Sequence, residues 1–287
     1  MRVTRCARTL CLWLTLATVS ATADPKPLTV TYVGNTGYLI QCGGHKIAID
    51  ALLGGERSEY YDMPSDSVVA LMTAARPPFD GLDVIAVTHW HQDHFSAGIV
   101  AEYLKGNSGC RLLCPQQVAD RLSALDGYDG IRRQVRVIDI PVDSVTEVEL
   151  DGVMAKVLSS KHGSYYETDS AGNTADRHRN VRHLEFLFTV GGRSLLHVGD
   201  AELQDRDQFM PLGLGKDSID IAFIQRWGCK EMPSFGEKLI RERVRPKRIY
   251  FTHMAPKELA FLTQHADCPS YRYVTIPTRS LQTWIVP

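Results

Sequence analysis

The apolar run DVIAV (residues 83–87) feeds directly into THWHQDHF (88–95), which places three of the chain's ten histidines and an aspartate within six positions. In extended chain alternate side chains share a face, so His89 and His91 point the same way as the strand ends. Asp93 and His94 follow where the chain turns toward a helix beginning near Ser96. Two imidazoles on one side, with a carboxylate and a third imidazole just beyond, suit two adjacent divalent ions. Such a pair needs more donors from elsewhere. The second half of the chain supplies His162 after VMAKVLSSK, Asp200 after SLLHVG and His253 after RIYFT, each at a predicted strand end. Loops at the ends of strands in a rigid sheet are where sites are usually built.

The rest of the chain predicts the scaffold. LTVTYVG, GYLIQCG and HKIAIDA read as a strand meander broken by glycines. Residues 55–80 contain a helix capped at Ser65 or Asp66 and stopped by Pro77-Pro78. SAGIVAEYLKG and QQVADRLSALDG read as helices, with the strand CRLLCP between them. VRVIDI, TEVELDG and VMAKVLSS follow as strands, and HLEFLFTVGGRSLLHVGDA as a hairpin turning at Gly191-Gly192. IDIAFIQ and RIYFTHM are further strands, FGEKLIRERVRP a helix, and the tail YRYVTIPTRSLQTWIVP is strand-like and closes the fold. This pattern predicts an α/β (α+β) fold, a four-layer αββα sandwich of two mixed β-sheets with outer helices.

Residues 1–23 read differently. Three arginines precede an apolar stretch from Leu10 to Val19, and Ala21-Thr22-Ala23 ends it. These are the parts of a cleavable signal peptide, cut after Ala23. The apolar stretch is shorter than the roughly 20 residues that span a bilayer. The expectation is a periplasmic or secreted protein, residues 24–287 forming a single domain with no stable membrane anchor after cleavage. Without residues 1–23 the net charge moves from −1 to −4, and no basic stripe stands out, so nucleic acid is not an expected partner. Cys42, Cys110, Cys114, Cys229 and Cys268 remain. An odd number leaves at least one without an intrachain partner; Cys110 and Cys114 can pair locally or stand as buried thiols.

The order His-x-His-x-Asp-His, a lone His, Gly-Asp and a final His resembles the metallo-β-lactamase superfamily, over essentially the whole mature chain. VTYVGNTGYLIQCGGHKIAIDA is similar to the branch that includes ascorbate-phosphate lactonase and N-acyl phosphatidylethanolamine phospholipase D. Members often have Gly-His-Ser or Gly-His-Ala where this chain has Gly34-Asn35-Thr36. By position, the resemblance implies that His89, His91 and His162 bind a first metal and that Asp93, His94 and His253 bind a second. Asp200 would bridge them. It implies two divalent ions, zinc before iron or manganese. A hydroxide shared by the pair would attack a carbonyl or phosphoryl centre, with Asp93 orienting that nucleophile. Asp50 is a candidate to support a ligand histidine, against a plain role at a strand end.

The implied activity is hydrolysis of an ester, lactone or phosphodiester bond in a small-molecule or lipid-like substrate. Asp200 argues against a class B-type β-lactamase, because similar β-lactamases lack the bridging aspartate. An iron-dependent oxidoreductase and a non-catalytic binding protein are alternatives on the same scaffold. His178, Asn180 and His183 are candidates for a substrate pocket; loop and strand polarity explains His178 and His183 somewhat better. His197 reads as a hydrogen-bonded core residue. Trp90 and Gln92 alternate away from the histidines, so packing is their expected role. Tyr165, Tyr166 and Trp227 are candidates for the substrate mouth, with the choice of substrate left to loops 55–66, 163–180 and 202–217.

Overall fold

The computed structural model describes residues 26–56, 58–203, 207–214, 219–226, 239–264 and 274–287. Residues 1–23, Trp227, Cys229 and Cys268 lie outside these residues.

Period-2 alternation sorts the strand residues into layers. In β2 (Gly37–Cys42), Tyr38 and Ile40 face the second sheet and Leu39 faces the outer helices. In β4 (Val84–Ala86), Val84 and Ala86 face inward and Ile85 outward, so this strand is buried on both sides. The first sheet runs β16 (Thr283–Val286), β1 (Leu28–Gly34), β2, β3 (His45–Ile49), β4, β5 (Arg111–Cys114), β6 (Val135–Val137). The second runs β15 (Val274–Thr275), β14 (Arg248–Thr252), β13 (Ile221–Gln225), β12 (Arg193–His197), β11 (His183–Val190), β8 (Val153–Ser160), β7 (Ser144–Leu150). In each sheet the strands on one side pair antiparallel, and the four on the other side (β3 to β6, β12 to β15) pair parallel. The predicted tail splits: β15 edges the second sheet and β16 the first.

Three apolar clusters separate four layers. The central one joins Tyr32, Tyr38, Ile40 and Val84 of the first sheet to Val157, Phe186, Phe188, Phe223 and Tyr250 of the second. Burying side chains of this size contributes about 1.5–3 kcal/mol each. Outside the first sheet, α1 (Asp66–Thr73) brings Val68 and Met72, α2 (Ala97–Gly106) brings Val100, Tyr103 and Leu104, and α3 (Gln116–Ser123) brings Val118 and Leu122. Outside the second sheet, Leu196, Ala222, Ile224 and Phe251 meet Phe209, Leu212, Leu239, Ile240 and Val244. The described part of the predicted helix at 235–246 is a single wide turn, Ile240–Val244, ended by Arg245 at φ 50°.

Elements with no counterpart in the sequence reading include α4 (Tyr128–Ile131), α5 (Pro256–Gln264), and an exposed hairpin of β9 (Tyr166–Thr168) and β10 (Thr174–Asp176). Cys42, Cys110 and Cys114 are buried free thiols, so the local Cys110–Cys114 pairing is not made. Among the described residues no helix is long and apolar enough to cross a membrane.

Candidate metal centre

The carboxyl ends of β4, β8, β12 and β14 meet at one edge of the sandwich, and backbone hydrogen bonds lock their loops together. Thr88 O accepts from Leu184 N at 2.9 Å, tying the first sheet to the second. His162 forms a β-bridge to Ala201, reinforced by Gly163 N to Asp200 O at 2.7 Å and Glu202 N to Lys161 O at 2.9 Å. His253 N donates to Asn35 O at 3.0 Å. Asn35, Asp50 and His253 have positive φ of 44°, 46° and 54°, a conformation that costs a non-glycine residue free energy and collects at functional sites.

All seven implied ligands converge there. His89, His91 and His162 offer donor atoms within 4.8 Å of one another, as do Asp93, His94 and His253. Asp200 lies between the sets: Oδ1 is 3.3 Å from His94 Nε2, and Oδ2 is 3.7 Å from His162 Nε2 and 3.4 Å from His253 Nε2. Asp93 Oδ2 is 3.1 Å from His253 Nε2 and 3.6 Å from His94 Nε2.

Hydrogen bonds fix which nitrogens face inward. Asp50 is fully buried. Its Oδ1 accepts Thr88 N–H at 2.8 Å, and its Oδ2 accepts the Thr88 hydroxyl at 2.7 Å and faces His94 Nδ1 at 2.9 Å. The His94 proton therefore sits on Nδ1, leaving Nε2 as the donor atom. With its own proton given to Asp50, Thr88 Oγ1 accepts from His89 Nδ1 at 3.0 Å, which leaves His89 Nε2 free. His162 Nδ1 donates to Gly163 O at 2.8 Å, so its Nε2 is also a bare lone pair. Asp50 thus holds His94 directly and His89 through Thr88, rather than merely ending a strand.

The donor set fits cations. His89 Nε2 lies 3.2 Å from His162 Nε2 and 2.9 Å from His91 Nδ1. With both Nδ1 protons committed, the Nε2 lone pairs of His89 and His162 at 3.2 Å repel unless a positive centre lies between them; nitrogens about 2.0–2.1 Å from tetrahedral zinc stand about 3.3 Å apart. His94 Nε2 and Asp200 Oδ1 are buried and face one another at 3.3 Å without forming a well-directed hydrogen bond, an arrangement that a cation held between the donor sets would satisfy. Burial, helped by the neighbouring imidazoles, holds His89 well below its usual pKa and His91 down to about 4, so both are neutral and ready to ligate. Burial likewise holds His162 down, although Asp200 pulls the other way. Burial disfavours charge on His94 too, but Asp200 and Asp93 outweigh it and hold this imidazole well above its usual value. In return, burial pushes Asp93 and Asp200 up, and the facing His94 and His253 bring both net below the usual carboxylate range.

The departure Asn35-Thr36 sits directly behind this centre. Asn35 Nδ2 donates to Asp93 O at 2.9 Å and to Asp93 Oδ2 at 3.0 Å, and Thr36 Oγ1 is 3.1 Å from His94 Nδ1. His197 accepts Gly199 N–H at Nδ1 (3.2 Å) and so donates from Nε2 to Thr36 O (2.9 Å), a core role as expected.

A cleft of about 850 Å³ opens onto Asp93, Asp200, His91, His162 and His253. His178 lines it, its ring 4.4 Å from that of His162 and its Nδ1 donating to Gly163 O at 2.9 Å. His183 and Asn180 do not line it; both border a separate cavity of about 310 Å³. His183 is fully buried at the start of β11 because it pairs there with Ser160 of β8. Its Nε2 accepts Asp200 N–H at 3.0 Å, so its Nδ1 donates to Ser160 Oγ at 2.9 Å. It positions Asp200 from behind instead of meeting substrate. Asn180 is exposed, its carbonyl accepting from Gln117 Nε2 at 3.0 Å. Trp90 packs against the outer core cluster of the first sheet, as expected, and with Gln92 it also lines the cleft. Strand geometry ends at Ala86, so alternation does not carry through the turn that holds them. Tyr165 lines the cleft, whereas Tyr166 projects into solvent at 67 % exposure.

Two mixed sheets with helices outside, carrying histidine and aspartate donors at one edge, define a metallo-hydrolase-type scaffold. The chain belongs to the beta-lactamase superfamily domain family, whose model matches residues 30–275. It is 24% identical over 241 residues to a UPF0173 metal-dependent hydrolase of Bacillus licheniformis, covering 84% of this chain and 91% of the relative. Igni18, a metallo hydrolase from the archaeon Ignicoccus hospitalis, shares its fold with a TM-score of 0.57 at 16% identity, covering 91% of this chain and 99% of that one. The metallo-beta-lactamase fold protein YhfI from Bacillus subtilis gives a TM-score of 0.57 at 15% identity, over 91% of this chain and 100% of the other.

Proposed function

We propose that this chain is an exported hydrolase that holds two divalent ions, zinc before iron or manganese, and cleaves an ester, lactone or phosphodiester bond. The observation that carries this reading is the donor geometry: neutral imidazole nitrogens of His89, His91 and His162 converge on one point, Asp93, His94 and His253 on another, and Asp200 reaches both. When bound, such ions supply Lewis acidity and lower the pKa of water toward neutrality. The protein's part is to fix donors before substrate arrives. Asp50 and Thr88 hold His94 and His89 in the ligating tautomer, His183 fixes the backbone beneath Asp200, and Asn35 aims the Asp93 carboxylate. The family membership and the metal-dependent hydrolase relatives favour hydrolysis over redox chemistry. The N-terminal sequence supports export to the periplasm or beyond; intact-mass analysis of the natively produced protein tests it, with a mature chain beginning at Asp24 expected. The activity is tested by elemental analysis of purified protein together with chromogenic esters, lactones, phosphodiesters and β-lactams. Two equivalents of metal and turnover of one of the first three classes are expected. Metal-replete protein that turns over none of them would refute the reading.

A further inference from the structure

Resting on the hydrolase reading, we infer that the substrate is an uncharged carboxylic ester or lactone bearing a flat aromatic or apolar group, received by Tyr61, Trp90 and Tyr165. Each of these rings lines the cleft and is seated against a different histidine of the site. Tyr61 meets His253 edge-on at 5.4 Å, Trp90 meets His91 at 4.8 Å, and Tyr165 lies 5.5 Å from His178. The collar therefore surrounds both donor sets, and Met63 adds apolar lining beside Tyr61.

These rings are held in place before any ligand binds. The Arg121 guanidinium lies 3.8 Å from the Trp90 ring centroid, which clamps one side of the indole. The carboxylate of Asp176 accepts the backbone N–H of both Tyr165 and His178 at 2.9 Å, and Arg177 N donates to Tyr165 O at 2.8 Å. The exposed hairpin is thus tied at its base so that Tyr165 leans over the site. A large aromatic ring left 56 % exposed, yet held by its own backbone, has surface to offer to a ligand.

Charge points the same way. Among the described residues lining the cleft none is lysine or arginine, and Glu56 adds a carboxylate at the rim. Away from the donor sets, an anionic substituent resting on the collar would meet Glu56 rather than a described guanidinium or ammonium group. A neutral flat group pays no such penalty. In the step itself a water oxygen bonds to the acyl carbon and the acyl C–O bond breaks; one water proton goes to the departing alkoxide, and the other is released from the acid product to leave a carboxylate.

The test uses the zinc-replete full chain with three probes: dihydrocoumarin, δ-valerolactone and bis(4-nitrophenyl) phosphate, with proton release followed in a pH-stat. Dihydrocoumarin is intrinsically the more reactive lactone, so the readout is the change in the ratio of kcat/KM for the two lactones on substitution. Trp90→Ala and Tyr165→Ala should each lower that ratio about three- to tenfold, as expected for loss of an aromatic contact, and Trp90→Phe should recover most of it. An unchanged ratio in both alanine variants, or a phosphodiester cleaved faster than either lactone, would overturn the inference. If nothing is turned over, the hydrolase reading fails, and calorimetric binding still decides this one. Dihydrocoumarin binding weakened by Tyr165→Ala would support the collar; no binding, or tighter binding of diphenyl phosphate, would overturn it.

Discussion

Replacing Asp50 with asparagine tests whether the ligating tautomers are imposed by this one carboxylate. The variant is nearly isosteric, and its amide oxygen can still accept Thr88 N–H, now at 2.8 Å. Its NH2 group then faces Thr88 Oγ1 and His94 Nδ1, at the 2.7 and 2.9 Å separations of the native pair. Two N–H donors cannot share that space. His94 relieves the conflict by moving its proton to Nε2, the atom required by the second metal. Loss of such a support typically weakens metal binding about 10–100-fold, or about 1.4–2.7 kcal/mol. Asp50→Ala should do more, leaving buried donors unpaired at about 1–3 kcal/mol each. Competition of zinc with a chromophoric chelator resolves the two equivalents. In Asp50→Asn the equivalent held by Asp93, His94 and His253 should weaken most. The other should weaken less, because His91 and His162 owe nothing to Asp50. Two equivalents bound with native affinities would refute the tautomer argument.

Gly199→Ala should destabilise the protein by about 2–5 kcal/mol, combining left-handed strain with overpacking. Gly199 has φ +52°, and a Cβ there would lie 2.6 Å from His183 Nε2 and 2.9 Å from Thr88; a thermal melt matching the native protein would contradict this. His183→Ala removes the acceptor of Asp200 N–H and should cost about 2–4 kcal/mol. It should lower kcat and metal affinity, and a change confined to KM would restore it to the substrate pocket. Chelated, metal-free protein should lose stability as pH falls from 6.5 toward 4. Unfolded imidazoles take up protons there, while burial keeps folded His89, His91 and His162 neutral, His91 down to about 4. His94, raised in the fold, has its contribution fully present below 6.5 and adds no slope. Glu185, pushed up to about 8 by burial, opposes with a single proton above 4.5. Denaturant midpoints that rise as pH falls through this window would contradict the assignment.

The convergence of the seven candidate donors was legible because chemistry and spacing coincide in the sequence. Three histidines and an aspartate in one turn have few structural explanations, and Gly199-Asp200 marks a place where only glycine fits between His183 and Thr88. The layers were legible through alternation, as in Tyr38, Leu39 and Ile40. What surrounds the donors was not. Whether His183 faces substrate or supports Asp200 depends on its register with Ser160, which no local pattern encodes. Asp50 was undecided because its partners, Thr88 and His94, are far from it in the chain. Asn35 stood out only as a departure from a family pattern, and its bond to Asp93 crosses 58 positions. The hairpin behind Tyr165 is exposed on both strands, so it carries no apolar alternation to betray it. The helix Pro256–Gln264 does carry a signal, a proline at its first residue, but it follows so closely on the strand-end His253 that the strand pattern obscures it.

Crystals of zinc-loaded protein, with anomalous diffraction recorded above and below the zinc edge, test the binuclear centre most directly. Two peaks are expected. One should lie about 2.0–2.2 Å from His89 Nε2, His91 Nδ1 and His162 Nε2, and the other at similar distances from His94 Nε2, His253 and Asp93, with Asp200 touching both. A single peak, or ions bound away from these side chains, would contradict it.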